Sequence, residues 1–269
     1  MAVNCTVHLN GLSLGIADEG SGPPVVFVHG FPLNREMWDG QRSVCAGARF
    51  IAPDLRGFGA SDASGDCTAM ATFANDLHGI LDELGINEPV IFVGLSMGGY
   101  ISWPFISQRP DRVRGLVLAN TRVIADTAEG AQTRRSTAEA VLRGGVAVIE
   151  NSMLEKLFSP TTRERNPGVI EAARSMIRQA KPVGVAAALR GMAERPDVSS
   201  RLAGIKVPTL VVAGADDAIF PSTEMEGFAR AIPNAEFVRV ERAGHMTPME
   251  NPSAFNDALD RFLRRVIDR

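Results

Sequence analysis

Apolar residues run without interruption over Pro24-Val25-Val26-Phe27-Val28 and Pro89-Val90-Ile91-Phe92-Val93. Short continuous runs of this kind predict strands of a parallel sheet that is covered on both faces. Further strands are predicted at Val3 to His8, Leu12 to Asp18, Arg49 to Pro53, Val113 to Ala119, Thr209 to Ala213 and Glu236 to Val240. The first two form a hairpin around Asn10-Gly11, a favoured two-residue turn. Elsewhere the apolar spacing is helical. Phe73, Leu77, Ile80, Leu81 and Leu84 mark one face of a helix over Thr68 to Leu84, and Gly85 lies just past its end. Helices are also predicted near Asn34 to Ala46, from Tyr100 onward, near Ser222 to Ala231, and from about Ser253 to Val266. Strands alternating with helices imply βαβ units, hence an α/β fold with a mostly parallel, eight-stranded sheet and helices on both faces.

One stretch breaks this rhythm. From Ile124 to Ala203 the pattern is helical throughout, punctuated by turn signals at Gly144-Gly145, Ser159-Pro160, Asn166-Pro167, Lys181-Pro182 and Arg195-Pro196. A structureless loop of that length does not suit a compact domain. The expectation is an inserted cap of about four short helices over residues 124–203, with residues 1–123 and 204–269 forming the core domain.

The 269 residues, 45% of them hydrophobic, suffice for one well-buried core. The formal net charge of -3 and the scattered Lys and Arg residues give no basic face, which excludes a nucleic-acid footprint. Cys5, Cys45 and Cys67 are odd in number and widely spaced, which argues against a disulfide framework or a zinc site. Reduced thiols, no signal-peptide pattern at Met1 to Thr6 and no membrane-length apolar run together suggest a cytoplasmic protein. Self-association into a homo-oligomer is left open.

Candidate chemistry centres on Gly94-Leu95-Ser96-Met97-Gly98-Gly99, between a predicted strand and a predicted helix. A serine flanked by glycines on such a turn is the G-x-S-x-G arrangement of serine hydrolases. The glycines let strand and helix pass closely, and the turn aims the hydroxyl outward. A serine hydroxyl needs a base. Of the four histidines, His8 lies far upstream, His78 lies within a helix and His29 suits a bracing role. His245 follows the last strand, at the carboxyl edge of the sheet where ligands bind in open α/β folds, and is the expected base. The acid partner is Asp216 or Asp217, after the strand that ends near Ala213. Asn120 and Thr121, after the preceding strand, lack the charge. Backbone N–H groups of Met97 and Phe31 are the expected oxyanion donors. Large apolar residues in the surrounding segments (Phe31, Trp38, Met97, Trp103, Met153, Phe158, Ile219, Phe220 and Met246) are candidates for a pocket, with roughly a third expected to face substrate. Arg122 suits either a substrate carboxylate or an ion pair with an acid such as Asp126.

These motifs resemble the α/β-hydrolase superfamily along essentially the whole chain. His29-Gly30-Phe31-Pro32, the loop Asp54 to Ser61, Gly94 to Gly99, Gly214 to Pro221 and Gly244-His245 fall in that family's order. Within it the chain is most similar to esterases and lactonases of the 3-oxoadipate enol-lactonase type, notably at Leu154 to Phe158, from Ser175 through Gly214, and around Asp217 to Ile219. The resemblance implies Asp217 as the acid, a structural loop around Arg56, and a cofactor-independent, metal-free hydrolase of small esters or lactones. Relatives that open epoxides or remove halogen use an aspartate where this chain has Ser96. The alternatives are carbon–carbon hydrolysis or perhydrolysis on the same residues, or a non-catalytic receptor for a small molecule.

Overall fold

The computed structural model describes residues 3–268. Eight strands form one sheet among them: β1 (Val3–Leu9), β2 (Leu12–Glu19), β3 (Pro24–Val28), β4 (Arg49–Pro53), β5 (Val90–Leu95), β6 (Val113–Ala119), β7 (Thr209–Gly214) and β8 (Ala235–Val240). Their order is β1-β2-β4-β3-β5-β6-β7-β8. The β1–β2 and β2–β4 pairs are antiparallel, and every pairing from β4 to β8 is parallel.

Successive strand residues point to opposite faces, and here both faces are dry. In β3, Val26 and Val28 join one core layer while Val25 and Phe27 join the other. The first layer packs against α1 (Met70–Glu83), α2 (Met97–Gln108) and α8 (Ser222–Ala231), through side chains such as Phe73, Leu77, Ile101, Phe105 and Phe228. The second lies under α10 (Pro252–Ile267), whose Phe255, Leu259, Phe262 and Val266 repeat every three to four residues along one buried stripe. Full burial of such side chains contributes about 1.5–3 kcal/mol each.

Helix ends follow local chemistry. Gly85 takes φ 66 past α1. Its N–H donates to Asp82 O, and the Ile86 N–H donates to Leu81 O, which together close the helix with paired terminal carbonyls. Asn251 caps α10 by accepting from the Ala254 N–H, with Pro252 in the first turn.

Two expectations change. Arg35–Cys45 is a run of 3-10 turns rather than an α-helix. Asp39, Gly40 and Ser43 are poor helix formers, although Asn34 caps the start of the segment by accepting from the Glu36 N–H. Between β6 and β7 there are five α-helices: α3 (Ala128–Gly144), α4 (Ala147–Leu157), α5 (Pro160–Arg165), α6 (Pro167–Gln179) and α7 (Pro182–Ala193). Ser159-Pro160, Asn166-Pro167 and Lys181-Pro182 read as breaks in the sequence but are helix starts, with proline at the first helical position.

These helices are fastened to the sheet edge. Lys181 N–H donates to Gly57 O at 2.9 Å and Thr68 N–H to Ala187 O at 3.0 Å. Where the chain leaves and rejoins the sheet, Val198 N–H donates to Val123 O, and the buried Arg195 binds Asp126 and the carbonyls of Ile124 and Met192. The remaining α-helix of the described residues, α9 (Thr247–Glu250), follows β8. No helix of the described residues is long and apolar enough to cross a membrane.

Candidate active site

Five neighbouring parallel strands deliver the residues singled out by sequence, together with Asn120, to one edge. β3 runs into His29-Gly30-Phe31, β5 into Ser96, β6 into Asn120, β7 into Asp217 and β8 into His245. Ser96 sits at φ 53 and ψ -110, a backbone conformation costing about 1–3 kcal/mol for a residue with a side chain. The surroundings enforce it. Ser96 N–H donates to Ala119 O at 2.9 Å, and Thr121 Oγ1 donates to Ser96 O at 2.8 Å. A Cβ on Gly98 would lie 2.2 Å from Val28 O, and one on Gly94 would lie 2.6 Å from Gly98 O. No other residue permits so close a passage of strand, turn and helix.

The base candidate is buried. His245 Nδ1 lies 2.9 Å from Asp217 Oδ2. An ionised carboxylate only accepts, so Nδ1 carries the proton and Nε2 keeps its lone pair. Asp217 Oδ1 accepts from the N–H groups of Ile219 (2.8 Å) and Phe220 (3.0 Å), and Oδ2 also accepts from Asn120 Nδ2 at 2.9 Å. Burial alone would raise this carboxyl; the His245 ring and the bonds from His245, Asn120 and Phe220 outweigh it and hold the group below the ordinary carboxylate range. Asp216 is exposed, and its N–H donates to Ala243 O.

Asn120 was set aside in the sequence because it cannot supply charge. It donates here to Asp217. Its Nδ2 also reaches Gly244 O at 3.2 Å, and its Oδ1 accepts from Thr247 Oγ1. Thr121 and Thr247 were likewise not anticipated in these positions. The legible signal was position alone: Thr121 lies just past the end of β6, and Thr247 lies two residues beyond His245 at the start of α9.

Gly30 packs directly on the serine turn, where an added Cβ would stand 3.4 Å from Ser96 Cβ. The Phe31 and Met97 N–H groups make no backbone hydrogen bond among the described residues. His29 braces this loop: its Nε2 accepts from the Leu55 N–H at 3.0 Å, which leaves Nδ1 to donate to Gly30 O at 3.1 Å. Arg56 is paired with Asp76 through two nitrogens.

Burial pushes the His29 ring down to about 4, against an ordinary 6.5. The unfolded chain therefore takes up a proton at this site before the folded one does. The stability it contributes is complete above about pH 6.5 and declines as pH falls toward 4, by ~3 kcal/mol in all. Proton NMR of the His29 Cε1–H should show no titration down to about pH 5. A midpoint near the ordinary value would contradict the buried, neutral brace.

Ser96 and His245 both line a cavity of about 530 Å³, closed on the far side by residues of α3, α4 and α7. Of the nine apolar candidates, Phe31, Met153, Ile219 and Phe220 line it. Trp38 does not: it is fully buried under the opposite face of the sheet, against Phe27 and Phe255. Met246 is also absent from the cavity lining and packs into that same layer. Arg122 lies outside the cavity as well. It forms a two-pronged ion pair, with Glu224 rather than Asp126, over the Phe220 ring. Asp126 pairs with Arg134 and Arg195. Among the described residues no group of three or more His, Cys, Asp or Glu side chains is placed to share a metal ion.

The profile of the alpha/beta hydrolase fold family matches residues 23–252. A thermophilic esterase from Thermogutta terrifontis, solved with malate bound, is 42% identical, with a TM-score of 0.95 over 99% of this chain and 100% of that one. The putative 2-succinyl-6-hydroxy-2,4-cyclohexadiene-1-carboxylate synthase of Bacillus subtilis is 30% identical over 98% of this chain and 99% of its own. The 3-oxoadipate enol-lactonase 2 of Acinetobacter baylyi is 29% identical over 96% and 94%. With its sheet order, its serine turn and a family match over most of its length, the chain belongs to the alpha/beta hydrolase fold family and is a hydrolase of that fold type.

Proposed function

We propose that the protein is a cofactor-independent serine hydrolase that cleaves a small carboxylic ester or lactone through an acyl-enzyme. Ser96 Oγ attacks the carbonyl while His245 Nε2 takes its proton. Asp217 holds the ring in the required tautomer and stabilises the imidazolium that forms. The N–H groups of Phe31 and Met97 receive the oxyanion, each worth about 3–4 kcal/mol in the transition state. His245 then protonates the leaving alcohol. Water, activated by the same ring, releases the acid and restores Ser96.

The observation that carries this reading is one cavity lined by both the strained Ser96 and the His245 ring, with His245 bonded through its other nitrogen to a buried Asp217. Residues 124–203 serve as a helical cap on the core formed by 1–123 and 204–269, so that substrate is held between the cap and the sheet edge. Apolar walls such as Tyr100, Ile149, Met153, Leu189 and Phe220 favour an apolar acyl or alcohol portion, with the charged residues Asp126, Glu129, Arg134 and Lys156 also on the lining. The esterase and enol-lactonase names among the relatives support the same substrate class.

The B. subtilis relative is named as a synthase, so carbon–carbon chemistry on the same residues belongs in the test. The purified protein, with chelator present, should be assayed on p-nitrophenyl acetate and butyrate, a γ-lactone and a β-diketone, with and without peroxide. Turnover of the esters or the lactone is expected without peroxide. Cleavage of the β-diketone alone, or of no acyl substrate, would overturn the proposal.

A further inference from the structure

Glu250 stands at the end of α9, five residues beyond His245, and its two carboxylate oxygens face two different parts of the molecule. Oε1 accepts from the N–H of Gly244 at 2.9 Å and from the N–H of Met246 at 3.1 Å, the residues on either side of His245. Oε2 accepts from the N–H of Ser159 at 2.9 Å and from Thr162 Oγ1 at 2.7 Å, both at the start of α5 in the cap. The same two segments touch once more, where Met246 N–H donates to Leu157 O at 3.2 Å.

The chemistry of the group matters. Four donors converge on it, and only a carboxylate presents two oxygens with no donor of its own. Bonds from both neighbours of His245 to one oxygen fix the backbone that carries the ring, and the second oxygen makes that fixation depend on where the cap sits. We propose that Glu250 is a positioning residue for His245, and that seating of the cap reaches the base through this carboxylate. The inference rests on His245 being the base.

The test is a double-mutant cycle on p-nitrophenyl acetate, a substrate too small to need the cap for binding. Glu250→Ala should lower kcat about 10- to 100-fold, the scale of a displacement near 1 Å in a reacting group, with KM changed less than about threefold. Thr162→Val should lower kcat about threefold in the wild-type background and have no further effect in Glu250→Ala. Glu250→Gln keeps an oxygen for Gly244 and Met246 and turns a donor toward Ser159; it should fold if the alanine variant does not, and match Thr162→Val in kcat. Independent, multiplying effects of Thr162→Val and Glu250→Ala, or kcat within twofold of wild type in all the Glu250 variants, would overturn the coupling.

A second readout does not use turnover. The proton on His245 Nδ1 is expected to give a sharp wild-type NMR signal through its bond to Asp217, and that signal should broaden in Glu250→Ala. If wild-type turnover does not depend on Ser96, the hydrolase reading fails, and this signal alone decides the role of Glu250. If turnover depends on Ser96 and both signal and kcat survive in the Glu250 variants, the coupling alone fails.

Discussion

Ser96→Ala should lower kcat on p-nitrophenyl butyrate by at least about 10⁴-fold and leave the fold intact. The size follows from the removal of the nucleophile itself: what remains is binding plus oxyanion stabilisation of a direct attack by water. The intact fold follows from the geometry. Alanine keeps the Cβ, so the φ of 53 costs it no more than it costs serine. The contacts that hold the turn, from Ser96 N–H to Ala119 O and from Thr121 to Ser96 O, use the backbone and are retained. Unchanged circular dichroism and a thermal midpoint equal to or slightly above wild type should accompany the lost turnover. Turnover within tenfold of wild type in a folded Ser96→Ala protein would remove the serine from the mechanism.

Asp217→Asn should lower kcat by about 10⁴-fold, while Asp216→Asn stays within about twofold. The contrast has a specific cause. Asp217 Oδ2 already receives Asn120 Nδ2 as well as the imidazole. An asparagine amide placed there either sets donor against donor or turns its oxygen away from the Ile219 and Phe220 N–H groups. The ring then relaxes to the tautomer with the proton on Nε2, where it cannot accept from a hydroxyl. Asp216, the residue immediately before Asp217, is exposed to solvent. Surface substitutions of that kind are usually worth less than 0.5 kcal/mol. Steady-state kinetics of the two variants, side by side, checks this. Equal losses would leave the choice of acid without support.

How much of this was legible in the sequence depends on how local the determining physics is. The eight strands were readable because runs such as Pro24 to Val28 and Val90 to Leu95 must be apolar on both faces to lie inside a parallel sheet. Ser96 and His245 were readable because a glycine-flanked turn and a post-strand histidine carry their geometry in adjacent residues. Proline misled in the inserted region: Ser159-Pro160 and Asn166-Pro167 break the chain's direction, yet each begins a helix. Side-chain direction was not legible at all where long-range packing sets it. Trp38 and Met246 are large, apolar and close in sequence to His29 and His245, and both were claimed by the layer on the far side of the sheet. Arg122 was equally balanced between substrate and ion pair until Glu224, far along the chain on α8, was seen opposite it. Asn120 shows the converse: it carries no charge, as its residue type says, but its amide donates to Asp217, a contact that no local pattern announces.

The most direct measurement is the site of covalent capture by a fluorophosphonate, read by intact-protein and peptide mass spectrometry alongside residual activity. One adduct per chain is expected, on the peptide bearing Ser96, with activity lost in step with labelling, no labelling of Ser96→Ala and slow labelling of His245→Gln. Full activity in fully labelled protein, or an adduct on another residue that accounts for the inhibition, would contradict a mechanism built on this serine.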